Sequence, residues 1–127
     1  MKKIYWLIVI LIISSQLSHA QKKKMTVLHT KEEIVKVAVA ELDQAMKAPD
    51  GELYLWAQKE EISGEYTFHI SVREKGEVAT VYCEDRQGGT IDEQKEFTDE
   101  LKDYKFYLKM PKGKSVKFKY TFDFNNQ

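Results

Sequence analysis

The sequence is poor in the residues that mark disulfide-stapled, redox-active or proline-rich proteins. It has one cysteine and two prolines among 127 residues. A single cysteine excludes an intramolecular disulfide, so the stability of the fold must come from its hydrophobic core. Cys83 follows Val81 and Tyr82 in a strand-like run. This setting favours a small buried side chain over a nucleophile or a redox thiol.

The sequence also lacks an excess of charge of either sign. Its 20 basic and 20 acidic residues cancel. A chain close to neutral has no overall field for nucleic acid or for an anionic membrane surface, so we predict neither as a partner. Lys22, Lys23 and Lys24 are expected to form a solvated arm.

Sequence motifs of catalysis are missing. There is no H-E-x-x-H, C-x-x-C or G-x-S-x-G motif and no phosphate-cradling glycine loop. We therefore predict a protein that is not an enzyme and that holds no metal or cofactor. The catalytic alternative is a thiol-histidine pair formed by Cys83 and His69 on neighbouring strands, although Val81 or Tyr82 is the residue expected opposite His69.

The only long hydrophobic run lies at the N-terminus. Lys2 and Lys3 precede an apolar stretch over 4–13, a polar stretch follows, and Ser18 and Ala20 are the small residues that signal peptidase requires. We expect cleavage between Ala20 and Gln21, which leaves a periplasmic or secreted protein with a net charge of −2 and no stable membrane insertion. The alternative is a retained anchor, but ten apolar residues are few against the ~20 that cross a bilayer core.

The predicted organisation is a signal peptide over 1–20, an N-terminal arm over 21–29 and one domain over 30–127. The sequence contains two capping-box motifs, Thr30 with Glu33 and Thr90 with Glu93, which predict the starts of two helices. Apolar residues at helical spacing predict helices over about 31–47 and 92–104. The second helix carries its apolar face as Phe97, Leu101 and Tyr104.

Alternation of apolar and polar residues predicts the strands. We expect a first strand over 52–60, a hairpin over 65–84, an extended segment beginning at 106–108 and a last strand over 116–124. In the last strand, one face is apolar, with Val116, Phe118, Tyr120, Phe122 and Phe124. The predicted fold is α+β, with a mainly antiparallel sheet covered by two amphipathic helices in the order α-β-β-β-α-β-β.

Tyr54 and Trp56 are predicted to share one side of the first strand. They are interpreted as a hydrophobic layer under a helix, and the alternative is a platform for carbohydrate or peptide.

Residues 64–124 resemble the C-terminal domain of TonB-type energy transducers. The resemblance rests on Gly64 before the strand Tyr66 to Val72, on Gly76-Glu77-Val78, on Tyr104-Lys105-Phe106 and on the closing stretch from Gly113 to Phe122. It covers about half of the chain. The chain departs from that family in its leader, which we expect to be cleaved, and in having only two prolines where the family has a long proline-rich segment, so energy transduction does not follow from the resemblance.

The resemblance implies a fold that binds an extended peptide as an added strand at a sheet edge. We therefore expect a non-catalytic exported binding module of the cell envelope that recognises a segment of an envelope or outer-membrane protein. The expected partner-binding edge consists of Lys117, Lys119, Thr121 and Asp123. The basic stripe of Lys112, Lys114, Lys117 and Lys119 is more simply interpreted as protection of an edge strand from aggregation, and a peptide-binding edge is its other interpretation. The alternative function is a secreted cystatin-like inhibitor or ligand carrier, in which the first helix crosses the whole sheet.

Overall fold

The computed structural model describes residues 26–125. Within this range the chain forms α1 (Lys31–Ala45), α2 (Glu52–Glu60), β1 (Glu65–Arg73), β2 (Val78–Gln87), α3 (Ile91–Asp103) and β3 (Ser115–Asp123). The α+β class and the antiparallel sheet are confirmed. The signal peptide and its cleavage site lie outside the described residues.

The two helices announced by capping boxes begin where the sequence predicts. The Thr30 hydroxyl accepts a hydrogen bond from the Glu33 N–H, and the Glu33 carboxylate accepts one from the Thr30 N–H. The Thr90 hydroxyl also accepts from the Glu93 N–H, but the Glu93 carboxylate accepts from the Ser63 N–H instead of the Thr90 N–H, so the second capping box is only half formed. Each cap satisfies backbone donors that a helix leaves free in its first turn.

The segment 52–60 was predicted to be a strand, and this prediction is wrong. It is the helix α2, in which Leu53 and Ala57 are buried one turn apart while Leu55 is half exposed. Leu53, Leu55 and Ala57 fit a two-residue period, but Leu53 and Ala57 also fit the spacing i, i+4. Leu, Ala, Gln, Lys and Glu dominate the segment, and their helix propensity is high.

The extended segment around 106–108 is not a strand of the sheet. Tyr104, Phe106, Leu108 and Met110 are buried in alternation with exposed neighbours, as in a strand. Lys105 and Lys109 nevertheless form only isolated bridges. The segment is held across the tip of the hairpin by backbone bonds from Phe106 N–H to the Gly76 carbonyl and from Met110 N–H to the Glu74 carbonyl. The observed order is therefore α-α-β-β-α-β.

The sheet has the order β2-β1-β3, with β1 in the centre. Alternate residues of β1, from Tyr66 to Val72, point to the buried face. Alternate residues of β3, from Val116 to Phe122, share that face, and Phe118 lies opposite Ile70. One face of the sheet therefore carries the core.

Phe97 of α3 joins the helices to this core. Its ring contacts Phe122 and Phe124 edge to face, with centroids 4.8 and 5.0 Å apart, and stacks on Trp56 of α2 at 5.7 Å. The core interpretation of Trp56 is therefore confirmed. Tyr54 precedes it by two residues in a helix rather than in a strand, so the two aromatic side chains do not share one side.

Candidate functional site

The four residues predicted to form a binding edge lie in β3, which is an edge strand of the sheet. Lys117, Lys119 and Thr121 are exposed, and Asp123 is partly buried at the end of the strand. Their side chains lie on the face of the sheet opposite the core, since β3 alternates between buried and solvent-facing positions. We refer to this face, together with the polar residues of β1 and β2 that share it, as the open face.

The register fixes where the backbone groups of β3 point. Phe124 N–H donates to the Gly64 carbonyl at 2.9 Å, and the pairing continues without interruption from Glu65 opposite Asp123 to Arg73 opposite Ser115. Directly opposed residues of an antiparallel pair alternate between hydrogen-bonded and non-hydrogen-bonded pairs. The even-numbered residues of β3 therefore bond to β1, and the N–H and C=O groups of Lys117, Lys119 and Thr121 point away from the sheet.

The other edge strand is less regular. The pairing of β2 with β1 shifts twice, between Thr67 and Phe68 and between Ser71 and Val72. Such irregularities twist an edge and interrupt its row of backbone donors and acceptors. Of the two edges, the edge of β3 is the one with an uninterrupted register.

A cluster of polar side chains crosses the open face. The His69 ring stacks on Tyr82, with centroids 4.7 Å apart. His69 Nε2 lies 2.5 Å from Glu84 Oε1, and Lys119 Nζ donates to Glu84 Oε2 at 3.3 Å. These contacts hold the pKa of Glu84 below its usual value, through the hydrogen bond with His69 first and the bond with Lys119 second. Part of the positive charge of Lys119 is therefore already compensated.

The remaining candidates differ in how they are held. Thr121 shares a hydrogen bond with Thr67 across the strands, at 2.9 Å between the two hydroxyl oxygens. The Asp123 carboxylate accepts a bond from Asn125 N–H at 2.8 Å, so it is tied to the end of β3. Within residues 26–125, Lys117 has no ion pair. Lys117 is therefore the uncompensated charge of the edge.

The start of β3 borders a cleft of about 550 Å³ that is rich in cations. Two turns far apart in sequence line it, with Arg73, Lys75, Lys112 and Lys114 as the cations and Glu74 and Glu77 as the carboxylates. The Glu74 carboxylate accepts a bond from Gly113 N–H at 3.0 Å, which joins the two turns. The basic character of the edge therefore continues beyond Ser115.

Within residues 26–125 no strand pairs with the outer edge of β3, which α1 flanks on the core side. Tyr120 is partly buried, and its hydroxyl donates to the Asp43 carboxylate at 2.5 Å. Val39 lies one turn before Asp43 on the same side of α1 and is also only partly buried. We therefore infer an apolar shelf of Tyr120 and Val39 beside the edge, on the face opposite Lys117 and Lys119.

His69 and Cys83 do not come together. Tyr82 lies opposite His69, as predicted, and Cys83 lies opposite Phe68. His69 faces the open side, whereas Cys83 packs against the core and donates its thiol proton to the Asp85 carbonyl. Burial raises the pKa of the Cys83 thiol, which lowers the fraction of thiolate at neutral pH.

The sequence alone predicts which side chains of the last strand share one face. It does not predict three other parts of the site. The bond between Glu84 and Lys119 joins strands 35 residues apart, and the cleft joins two turns with no shared motif. The shelf depends on how α1 packs against β3. Only the run of lysines from Lys112 to Lys119 gave a signal for the basic edge.

Comparisons with known proteins leave the site to be judged by its own geometry. No family model, curated protein or solved structure matches the chain. Within the described range 26–125, no cluster of three histidine, cysteine or acidic side chains is arranged to hold a metal ion. In that same range no helix has both the length and the apolar character needed to cross a membrane.

Proposed function

We propose that this chain is a non-catalytic exported binding module that recognises a segment of an envelope protein by adding it as a strand to β3. One observation carries the proposal: the regular nine-residue edge of β3 directs the backbone groups of Lys117, Lys119 and Thr121 outward. Outward-pointing groups with no partner strand in the range 26–125 are the template that an extended peptide needs, because main-chain hydrogen bonds supply affinity in strand addition.

The packing of the helices also supports a TonB C-terminal-like arrangement. In that arrangement the main packing role belongs to the helix before the last strand. Phe97 of α3 lies against Phe122 of β3, and both side chains are fully buried. A cystatin-like domain would need α1 to cross the whole sheet, whereas α1 makes its main contact with the sheet at β3. The packing therefore favours the first function over the second.

A proline at the edge tests the proposal. The N–H of Lys119 does not bond to β1, so Lys119→Pro removes an outward donor without breaking the sheet, and proline is tolerated in edge strands. Lys119→Ala is the matched control, because it removes the same side chain and keeps the donor. Both variants should keep the wild-type circular dichroism spectrum.

Envelope extracts passed over the immobilised proteins give the readout. Strand addition predicts that Lys119→Ala retains the wild-type partner, with at most the small loss expected for one lysine already paired with Glu84, and that Lys119→Pro loses it. If folded Lys119→Pro retains that partner as well as the alanine variant does, the backbone edge is not the recognition element and the proposal fails.

A further inference from the structure

The two flanks of the β3 edge differ in chemistry, and an added strand presents its side chains alternately to both flanks. On the open face its neighbours are Lys117 and Lys119, which lie on successive solvent-facing positions of β3. On the core side it meets the apolar shelf, where the partly buried Tyr120 is bonded to Asp43 of α1 and Val39 lies one turn before Asp43. The edge therefore distinguishes between the two sets of alternate residues in a bound segment.

We infer that the partner segment alternates acidic and apolar residues, with the acidic residues beside Lys117 and Lys119 and the apolar residues beside Tyr120 and Val39. This inference rests on the proposed strand addition and specifies its ligand. Side chains of directly opposed residues on neighbouring strands lie about 4.5–5.5 Å apart at Cβ, close enough for opposite charges to attract and like charges to repel.

The charges of the edge are not balanced from within the described residues. Glu84 compensates Lys119, since its carboxylate accepts the bond from Lys119 Nζ. Lys117 has no such partner in the range 26–125. Lys117 should therefore contribute more than Lys119 to the selection of an acidic residue.

The cleft beyond Ser115 extends the same preference. A segment longer than β3 that runs past Ser115 is expected to approach the cations Arg73, Lys112 and Lys114, which line the cleft that Ser115 borders. One of the two carboxylates in the cleft, that of Glu74, is already bonded to Gly113 N–H. Acidic residues in the bound segment are therefore favoured most at the end that lies beside Lys117.

Charge also argues against an occupant from the chain itself. The arm that contains Lys22, Lys23 and Lys24 has the same sign as the edge. A second copy that pairs through β3 would add two further lysines to the open face. An acidic segment of another protein complements the edge, and it is the occupant to which we commit.

Synthetic peptides test this inference. Three nine-residue peptides share the same valines at alternate positions and carry Glu, Ser or Lys at the other positions. Binding to the purified protein is measured by fluorescence anisotropy at low salt. We expect the Glu peptide to bind about tenfold more tightly than the Lys peptide. The cross-strand pairs with Lys117 and Lys119 change from repulsive to attractive, and the two changes together account for this difference in affinity.

Two charge-reversal variants complete the design. Lys117→Glu should remove or reverse the preference for the Glu peptide. Lys95→Glu makes the same change of net charge at an exposed position of α3, whose backbone lies nearest to β2, so it should leave the preference unchanged. Equal effects of the two variants would show a response to net charge alone and would overturn the inference.

Backbone methylation separates this inference from the proposed function. Two further Glu peptides carry N-methyl groups on complementary sets of alternate amides, and strand addition predicts that only one of them loses binding. If all three charge forms bind equally and methylation still discriminates, the acidic preference is wrong and strand addition stands. If neither methylated peptide loses binding, or if no peptide binds, both proposals fail.

If the protein instead forms dimers that Lys119→Pro abolishes, a second copy is the occupant and the inference is overturned.

Discussion

Phe97→Ala should produce one of the largest losses of stability that a single substitution can cause in this domain. The Phe97 side chain is fully buried. Its ring lies within 6 Å of five other aromatic rings, those of Trp56, Tyr66, Phe68, Phe122 and Phe124. Removing it therefore leaves a cavity where α2, α3 and the sheet meet.

The expected magnitude follows from burial and cavity formation. Replacing a buried Phe by Ala costs about 3–5 kcal/mol, and the five ring contacts place Phe97 towards the upper part of that range. Small domains unfold with about 5–15 kcal/mol, so the substitution removes a large fraction of the total. With a urea dependence of roughly 2 kcal/mol per M, the midpoint of unfolding should fall by about 2 M.

Urea unfolding followed by circular dichroism measures this effect. Ile91→Ala is the matched control in the same helix, since Ile91 is 52% exposed and its truncation should change the free energy of unfolding by less than about 0.5 kcal/mol. A loss below about 1 kcal/mol for Phe97→Ala, or equal losses for both variants, would refute the claim that α3 is anchored to the sheet through Phe97.

Three further predictions concern backbone fit and titration. Gly76 and Gly113 both have positive φ, but a Cβ at Gly76 would collide with the Phe106 carbonyl oxygen while a Cβ at Gly113 meets no atom within 4 Å. Thermal unfolding should therefore show Gly76→Ala to be less stable than Gly113→Ala by about 1–3 kcal/mol, and equal melting temperatures would contradict the described contact. The pKa of Glu84 is lowered by the hydrogen bond with His69 and then by Lys119, so its contribution to stability is present above the usual carboxyl pKa and is lost as the pH falls through the lowered value. Urea unfolding should show wild type to be more stable than Glu84→Gln at pH 6 and should show this difference shrinking below pH 4.5, and a pH-independent difference would exclude the ionic contribution. Burial, and then the charge of Glu93, raise the pKa of Tyr66 to about 12, so the folded state keeps a proton that the unfolded state loses near pH 10 and stability falls as the pH rises between these values. Tyr66→Phe should reduce this alkaline slope, and an unchanged slope would show that Tyr66 titrates normally.

Much of the fold could be predicted because its elements have clear periods and caps. Thr30 and Thr90 mark the starts of α1 and α3, and the alternation from Tyr66 to Val72 marks β1. The prediction of a strand over 52–60 is wrong because this short segment fits two patterns. Leu53, Leu55 and Ala57 fit the two-residue period of a strand, and Leu53 and Ala57 also fit the spacing i, i+4 of a helix. Only the burial of Leu53 and Ala57 together, with Leu55 exposed, decides for a helix.

The candidate site was predictable in part. Because successive side chains of a strand point to opposite faces, the sequence alone places Lys117, Lys119 and Thr121 on one face of their strand. The sequence does not contain the strand order, which makes β3 an edge, or the register, which turns the backbone groups of these residues outward. The contact between Tyr120 and Asp43 is likewise inaccessible, because it joins elements 77 residues apart through tertiary packing.

Amide hydrogen exchange along β3 tests the free edge most directly. In the unliganded protein, the N–H groups of Phe118, Tyr120 and Phe122 should exchange slowly because they bond to β1, whereas those of Lys117, Lys119 and Thr121 should exchange quickly. Addition of the Glu peptide should slow the second set selectively. Uniformly slow exchange along β3 in the free protein would show that its outer edge is already paired, and this result would contradict the proposed mode of recognition.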